Sequence, residues 1–168
     1  MNSTEIFSLA LGLTDPWMIT NVEILTGDDS LKELHIHFGF KRGAKFEDES
    51  GKSCSVHDTQ KKTWRHLNFF EHTCLLHCSV PRILTSDGKV RLVDVPWARK
   101  GSGFTLLFEA LAMALIEREM PVNKIGQLLN ENPHRIWTIF NHWISLAYQA
   151  DDPSEVTQLG PSSWLFQS

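Results

Sequence analysis

The chain has 168 residues, 42% of them hydrophobic and 21% charged, a composition typical of one large or two small globular domains. No apolar run reaches the roughly 20 residues that cross a bilayer, and no basic region followed by an apolar signal segment opens the chain, so we expect a cytoplasmic protein with no membrane partner. Three cysteines without a small disulfide-rich framework predict reduced thiols.

The net charge of −4 excludes a uniformly basic, DNA-coating surface, because affinity for duplex DNA depends on Lys and Arg displacing counterions from phosphates. The charge is unevenly distributed. Residues 1–30 carry five acids and no Lys or Arg, whereas residues 61–100 carry eight Lys or Arg against three acids. The second segment is compatible with a local DNA-facing patch and also with an ordinary solvated sheet face.

The first strands are predicted by alternation of apolar and polar residues. Residues 17–25 and 31–38 alternate around a turn-like stretch, Thr26–Ser30, and predict an antiparallel hairpin. Residues 39–60 are rich in Gly, Lys, Glu, Asp and Ser and show little periodicity. They predict a long, mobile excursion from the sheet.

The pattern of strands resumes at residues 61–69. Cys74, Leu76, Cys78 and Val80 then occupy alternate positions, which predicts a further strand with these four side chains on one face. A turn at residues 85–88 precedes a last strand at 90–95.

After Pro96 the apolar spacing changes from that of strands to that of helices, and three helices are predicted in succession. The first covers about residues 104–119 and the second begins near Pro121. The third has Asn132 as a candidate N-cap and Pro133 as its first residue.

These elements predict an α+β protein in which an antiparallel β-sheet is followed by a three-helix, helix-turn-helix unit. The predicted β-rich domain spans residues 1–100 and the helical unit spans residues 101–150. Residues 151–168 contain three acids, two prolines and no Lys or Arg, and they predict an extended tail.

The short connection Asn130–Asn132 is of the length that a helix-turn-helix needs to set its recognition helix across the preceding one. Arg and Asn can bond to base edges, and Thr and His can reach phosphates or bases. The same pattern also fits a generic helical hairpin. The residues of the third helix expected to face DNA are His134, Arg135, Thr138, Asn141 and His142. A single Arg and no Lys on this helix predict weak intrinsic affinity.

Four segments of the sequence show a family resemblance: Val56–Thr59, Thr63–Phe70, Val95–Arg99 and Gly101–Met120. Through them the chain, from about Met1 to Tyr148, resembles the N-terminal DNA-binding region of the DDE transposases of the ISL-three type, a family of bacterial insertion sequences. The resemblance implies a double-stranded DNA partner and favours the helix-turn-helix interpretation. If DNA is bound, we expect sequence readout from Arg135 and Asn141 and phosphate contacts from Lys61, Lys62, Arg65, Arg99 and Lys100.

The resemblance also implies a small zinc-binding module around residues 46–90, whose four ligand positions fall here on Glu47, Ser50, Thr85 and Gly88. The predicted antiparallel β-sheet would therefore contain a degenerate zinc-module segment. Zinc needs four soft or imidazole ligands, so we expect no zinc bound in the family's way and no other cofactor. Order in this segment must then come from elsewhere, and we expect strand packing, with loss of order in residues 44–54 as the alternative.

A displaced zinc site is a further alternative, because Cys54 and His57 have ligand-like spacing. Buried cysteines and surface histidines are the simpler explanation of these residues and of their neighbours His66, His72, Cys74, His77 and Cys78. His35 and His37, on one face of a predicted strand, are explained in the same way.

The family's catalytic triad holds two divalent metals for phosphoryl transfer. Its first Asp would fall at Ser162, and the sequence ends at Ser168. We therefore expect no enzyme activity, but a catalytically inactive, transposase-derived protein that binds terminal-repeat or promoter DNA and could repress an intact transposase. The alternative is a protein-binding inhibitor or adaptor that acts on a nucleic-acid-handling complex.

Overall fold

The computed structural model describes residues 2–150, and the predicted tail 151–168 and Ser162 lie outside the described residues. The chain divides into two units at the junction of Leu106 and Leu107. The first contains a six-stranded sheet and one helix, and the second is helical. The α+β prediction is confirmed. None of the helices that the structure describes combines the length and apolarity needed to cross a membrane.

The β-rich unit begins with helix α1 (Ser3–Ala10), which the alternation argument did not predict. Asn2 caps this helix through its side chain, which accepts a hydrogen bond from Glu5 N at 2.9 Å, and Glu5 accepts one in return from Asn2 N at 3.0 Å. This reciprocal pair is a capping box, and an Asn followed three residues later by Glu is its sequence signature. The strands that follow are β1 (Trp17–Thr26), β2 (Lys32–Phe40), β3 (Lys45–Glu47), β4 (Ser53–Phe69), β5 (His72–Leu84) and β6 (Val90–Leu92).

The sheet is mixed, which corrects the prediction of a purely antiparallel one. Its order is β1-β2-β5-β4-β3, with β6 paired to β5. The hairpins β1–β2 and β4–β5 are antiparallel, but β2 runs parallel to β5, with Glu33 opposite Thr73 and Phe38 opposite Cys78. Alternation within a strand sets which face is apolar and not the direction of its neighbour, so the sequence pattern could not reveal this pairing.

The core lies on one face of this sheet. Cys74, Leu76, Cys78 and Val80 are all buried, as their alternation predicted. The ring of Trp97 packs edge-on against Trp17, Phe38 and Trp64. Burial raises the pKa of the Cys74 thiol to about 11 and that of Cys78 to about 12, so both sulfurs stay protonated, as befits core residues.

Residues 39–60 are not the predicted mobile excursion. They form β3, a turn and the first part of β4, and β3 pairs antiparallel with β4 from Lys45–Ser55 to Glu47–Ser53. Residues 44–54 are therefore ordered. The sequence pattern did not reveal this extension because its inner face carries few apolar side chains, Phe46, Cys54 and Val56, and the alternate positions are exposed polar residues.

Asp48 joins this hairpin turn to the turn that follows β5. Its Oδ1 accepts hydrogen bonds from Ser50 N and Lys52 N at 2.9 and 3.0 Å, and its Oδ2 accepts from Ser86 N and Ser86 Oγ at 3.0 and 2.8 Å. We call this arrangement the Asp48 clasp. It links the two turns in which the resemblance places zinc ligands, so together with strand pairing it accounts for order in this segment.

The clasp predicts acid sensitivity. Hydrogen bonds from Ser50 and Ser86 hold the Asp48 pKa well below its usual range, so the clasp's stabilisation is complete above the ordinary pKa of an aspartate and is lost as the pH falls toward the lowered one. Asp48→Asn should lower the melting temperature at neutral pH by a few degrees, and the deficit should shrink at about pH 3. Asp28→Asn, in the exposed β1–β2 turn, is the control and should match wild type at both pH values.

His66, on β4, is half-buried beside a loop that runs along this strand. Arg65 N donates to Gly103 O at 2.8 Å and Thr105 N donates to Arg65 O at 3.0 Å, which holds the loop in place. His66 Nδ1 lies 2.8 Å from Thr105 Oγ1. Burial, and secondarily the charge of Arg65, lowers the pKa of His66 to about 4.

The neutral His66 predicts a second acid-sensitive component of stability. The unfolded chain takes up a proton near the ordinary histidine pKa, whereas the folded chain does so only near 4, so stability should fall as the pH drops between these values, by up to about 3 kcal/mol. His66→Asn should be less stable at pH 7 but should show a flatter pH dependence in urea unfolding. An unchanged pH dependence would contradict the assignment to His66.

Candidate nucleic-acid interface

The second unit is a three-helix arrangement of α2 (Leu106–Glu117), α3 (Val122–Leu129) and α4 (Pro133–Ala150), as the sequence predicted. Its interior is formed by residues that recur at helical spacing and are buried: Phe108, Ala112, Ile125, Leu129, Ile136 and Ile139. The opposite faces of α3 and α4 are exposed.

A tight turn joins α3 to α4. Asn130 adopts a left-handed backbone with φ of 52°, and Glu131 N donates to Gly126 O at 2.9 Å, a Schellman-like end for α3. Asn132 then caps α4, because its Oδ1 accepts a hydrogen bond from His134 N at 2.8 Å. The N-cap predicted from sequence is confirmed.

Gly126 allows the turn to approach α3. A Cβ atom built on Gly126 would lie 2.7 Å from the Glu131 carbonyl oxygen and 3.0 Å from Pro133 Cγ. No other residue type leaves this space free, so Gly126 fixes how closely the turn folds back. Sequence reasoning missed this residue, although an isolated Gly inside a helical pattern is a cue for close packing.

A buried carboxylate ties α4 to α2. Glu109 is 0% exposed, and its Oε2 accepts a hydrogen bond from Trp143 Nε1 at 2.9 Å. Buried Glu residues are rare unless they are paired. This contact positions the middle of α4 with respect to the interior of the unit.

The outward face of α4 carries most of the side chains expected to meet DNA. His134, Thr138 and Asn141 are exposed and lie on one stripe, because their spacing of four and three residues follows the helical repeat. His142 is half-buried, and its ring packs edge-on against Trp143. The same outward face includes Trp137, which is 47% exposed.

The lack of net positive charge around this face limits its affinity for DNA. Residues 107–150 carry four acids and three Lys or Arg, so the unit is not basic. Arg135 flanks the stripe, and its Nη1 donates to Glu131 Oε1 at 2.9 Å in an ion pair four residues apart. Glu131 was not anticipated as a partner, although this spacing on or near a helix predicts such pairs. Contact with a base by Arg135 requires exchange of this bond.

The cations expected to contact phosphate do not all lie together. Lys62, Arg99 and Lys100 line one cleft of the β-rich unit. Lys61 is exposed on the opposite face of β4, since neighbouring residues of a strand point in opposite directions.

Arg65 differs most from expectation, because it is only 5% exposed. Its guanidinium donates to the backbone oxygen of His66 and to Asn68 Oδ1. The structure therefore assigns its charge an internal role on β4. Position along a strand gave no cue to this, because it depends on hydrogen-bond partners that fold around the side chain.

Several of the histidines and cysteines considered as zinc ligands or as their neighbours form hydrogen bonds with other groups of the protein. His35 Nδ1 lies 2.8 Å from His77 Nε2, His35 Nε2 lies 3.1 Å from Glu33 Oε2, and Thr63 Oγ1 lies 2.9 Å from His77 Nδ1. Among residues 2–150, no three or more His, Cys, Asp or Glu side chains are arranged to hold a metal. Cys54 is buried and its thiol donates to the Lys52 carbonyl oxygen, whereas His57 is exposed.

Comparison with known proteins finds a similarity in the helical region. Curated proteins and solved structures gave no match to the chain. A family model described as the helix-turn-helix domain of transposase family ISL3 matches residues 93–144, just under a third of the sequence. The match begins after β6, includes α2 and α3, and ends within α4. Residues 93–144 are thus similar to the helix-turn-helix domain of ISL3-family transposases.

Proposed function

We propose that the chain is a catalytically inactive, transposase-derived protein that binds the terminal repeats of its element or a promoter. The observation that carries the proposal is the exposed polar stripe of α4, held on a capped helix-turn-helix in the region similar to the ISL3 domain. Recognition helices of this motif contact base edges with their N-terminal residues. His134 and Thr138 lie in the first two turns of α4, where such contacts are made, and Asn141 lies in the third turn.

In this proposal Arg135 and Asn141 read bases, since Arg bonds bidentately to guanine and Asn to adenine, while His134, Thr138 and His142 support them at bases or phosphates. The β-rich unit supplies the phosphate contacts through Lys61, Lys62, Arg99 and Lys100. Arg65 is left out, because its guanidinium is buried and hydrogen-bonded.

The proposed biological role is to occupy the ends of the element without cutting the DNA. Ser162, at the expected position of the first catalytic Asp, lies outside the described residues, so the inactivity rests on the sequence alone. A protein that binds the element's ends but cannot transfer strands would compete with an intact transposase. This makes repression of transposition the proposed outcome of binding.

A second candidate is a protein-binding inhibitor or adaptor for a nucleic-acid-handling complex. It is favoured by the low charge of residues 107–150, which carry four acids and three Lys or Arg and are therefore not basic. It is also favoured by apolar side chains on the surface of the same unit, among them Leu128 at 58% exposure and Trp137 at 47%. Aromatic side chains with few charges around them are characteristic of the centres of protein interfaces.

A mobility-shift titration on terminal-repeat and random duplexes, starting near 50 mM salt, separates the candidates. The DNA proposal predicts binding that weakens steeply as salt increases and is tighter on the specific duplex. Complete absence of binding at the lowest salt concentration would reject it. Affinity capture of a nucleic-acid-handling partner by the same non-binding protein would then support the second candidate.

A further inference from the structure

A cleft of about 290 Å³ opens in the β-rich unit beside the loop that follows β6. We call it the Lys62 cleft. Its volume is close to the lower end of the range for small-molecule sites, roughly 300–1,000 Å³. The residues used below are Lys62, Trp64 and Val80 from the sheet and Asp94, Arg99 and Lys100 from the loop.

Lys62 has an unusual position in the sheet. It pairs with the buried Cys78 and lies two residues before Trp64, so its side chain leaves β4 on the face that elsewhere carries the core. Within residues 2–150 neither the Lys62 nor the Lys100 ammonium group has an ion-pair or side-chain hydrogen-bond partner. A lysine at the rim of an apolar core without a carboxylate leaves a positive charge uncompensated.

The charge of the lining favours an anion. Lys62, Arg99 and Lys100 contribute three positive charges and Asp94 one negative charge. Trp64 and Val80 form an apolar wall, which lowers the effective dielectric and strengthens the attraction between a cation and an anion in the cleft. A phosphodiester, with a single negative charge, can be accommodated without neutralising the whole site.

The loop that closes the cleft is held in a fixed conformation. Ser102 N donates to Arg99 O at 3.2 Å, and Phe104 N donates to Ser102 Oγ at 3.0 Å. Gly103 O accepts from Arg65 N at 2.8 Å, which anchors the loop to β4. Because these bonds exist before any ligand arrives, little conformational entropy would be lost when an anion binds.

We infer that the Lys62 cleft is a discrete site for one phosphate group of a nucleic-acid backbone, separate from the base-reading face of α4. This inference rests on the proposed DNA binding for the source of the phosphate, but the anion site itself does not depend on it. In this site Lys62 and Lys100 bind the same phosphate group, whereas lysines scattered over the surface of a sheet would each contact a different one.

The first test compares Lys62→Gln with Lys45→Gln, which removes the same charge from an exposed position of β3 outside the cleft. On a random-sequence duplex, Lys62→Gln should reduce the slope of log affinity against log salt by about one unit, the effect of one lost phosphate contact, and Lys45→Gln should not. Equal slopes for the two variants would overturn the inference while leaving the proposed DNA binding intact.

The second test does not need DNA. Backbone amide resonances of Gly101, Ser102 and Gly103 are followed while inorganic phosphate or a deoxynucleoside 5′-monophosphate is added. Shifts with the nucleotide in wild type that vanish in the double variant Lys62→Gln, Lys100→Gln support the site even if wild type binds no duplex. Absence of shifts, shifts that persist in the double variant, or shifts with inorganic phosphate alone would each reject a nucleic-acid phosphate site.

Discussion

The Gly126→Ala variant should destabilise the helical unit by about 1–3 kcal/mol, the usual cost of forcing an extra group into a packed site. Alanine ordinarily stabilises a helix by roughly 1 kcal/mol relative to glycine, so the expected sign is the reverse of the general rule. The reason is that the new Cβ would meet the Glu131 carbonyl oxygen at 2.7 Å, and this atom belongs to the backbone of the turn. Urea unfolding followed by circular dichroism at the helical wavelengths measures the effect.

The matched control is Gln127→Ala, the next residue of α3, whose side chain is exposed. It should leave stability unchanged or raise it slightly. Gly126→Ala should also weaken DNA binding, because displacement of the turn moves the first residues of α4. If both variants were equally stable, the tight approach of the turn would not be the constraint described.

Arg135→Ala should weaken binding to a specific duplex by about 1–3 kcal/mol and relax sequence preference at one position, as expected for loss of a bidentate base contact. Asn141→Ala should have an effect of the same kind at a different position. The measurement is a set of binding isotherms on specific and single-base-substituted duplexes. Similar losses on specific and random duplexes would assign these residues to phosphate contact instead.

Glu131→Gln tests the role of Arg135 through an expected gain in DNA affinity instead of a loss. The amide oxygen still accepts a hydrogen bond, but the charge that holds Arg135 at 2.9 Å is removed. Affinity for DNA should therefore increase, since Arg135 is released and a repulsive carboxylate is lost. Reduced affinity in this variant would mean that the ion pair holds Arg135 in its binding position.

Periodicity was sufficient to predict the elements that have one buried face. The alternation in β1, β2 and β5 and the helical spacing in α2, α3 and α4 follow directly from burial against a core. The pattern fails where burial is weak or nonlocal. The beginning of β4 shows only a short apolar alternation, at Cys54 and Val56, and nothing within β2 or β5 indicates that they pair in parallel.

The candidate site was predictable to the same extent. The cap at Asn132 and the stripe of His134, Thr138 and Asn141 depend on local spacing; the structure has the cap, and the three side chains of the stripe are exposed. The surroundings of Arg65 and Trp137 depend on three-dimensional packing. The Arg65 side chain is buried among hydrogen-bond acceptors and the Trp137 side chain is exposed. Neither outcome follows from the spacing of neighbouring residues.

The parallel pairing of β2 with β5 also bears on how the β-rich unit folds. Each hairpin joins strands that are adjacent in sequence, with only residues 70 and 71 between β4 and β5, so both hairpins can form early from local contacts. The β2–β5 contact joins residues about 40 positions apart, such as Glu33 and Thr73, and its loop-closure entropy must be overcome before the core forms. The meeting of two preformed hairpins, rather than the formation of either one, should therefore limit the folding rate.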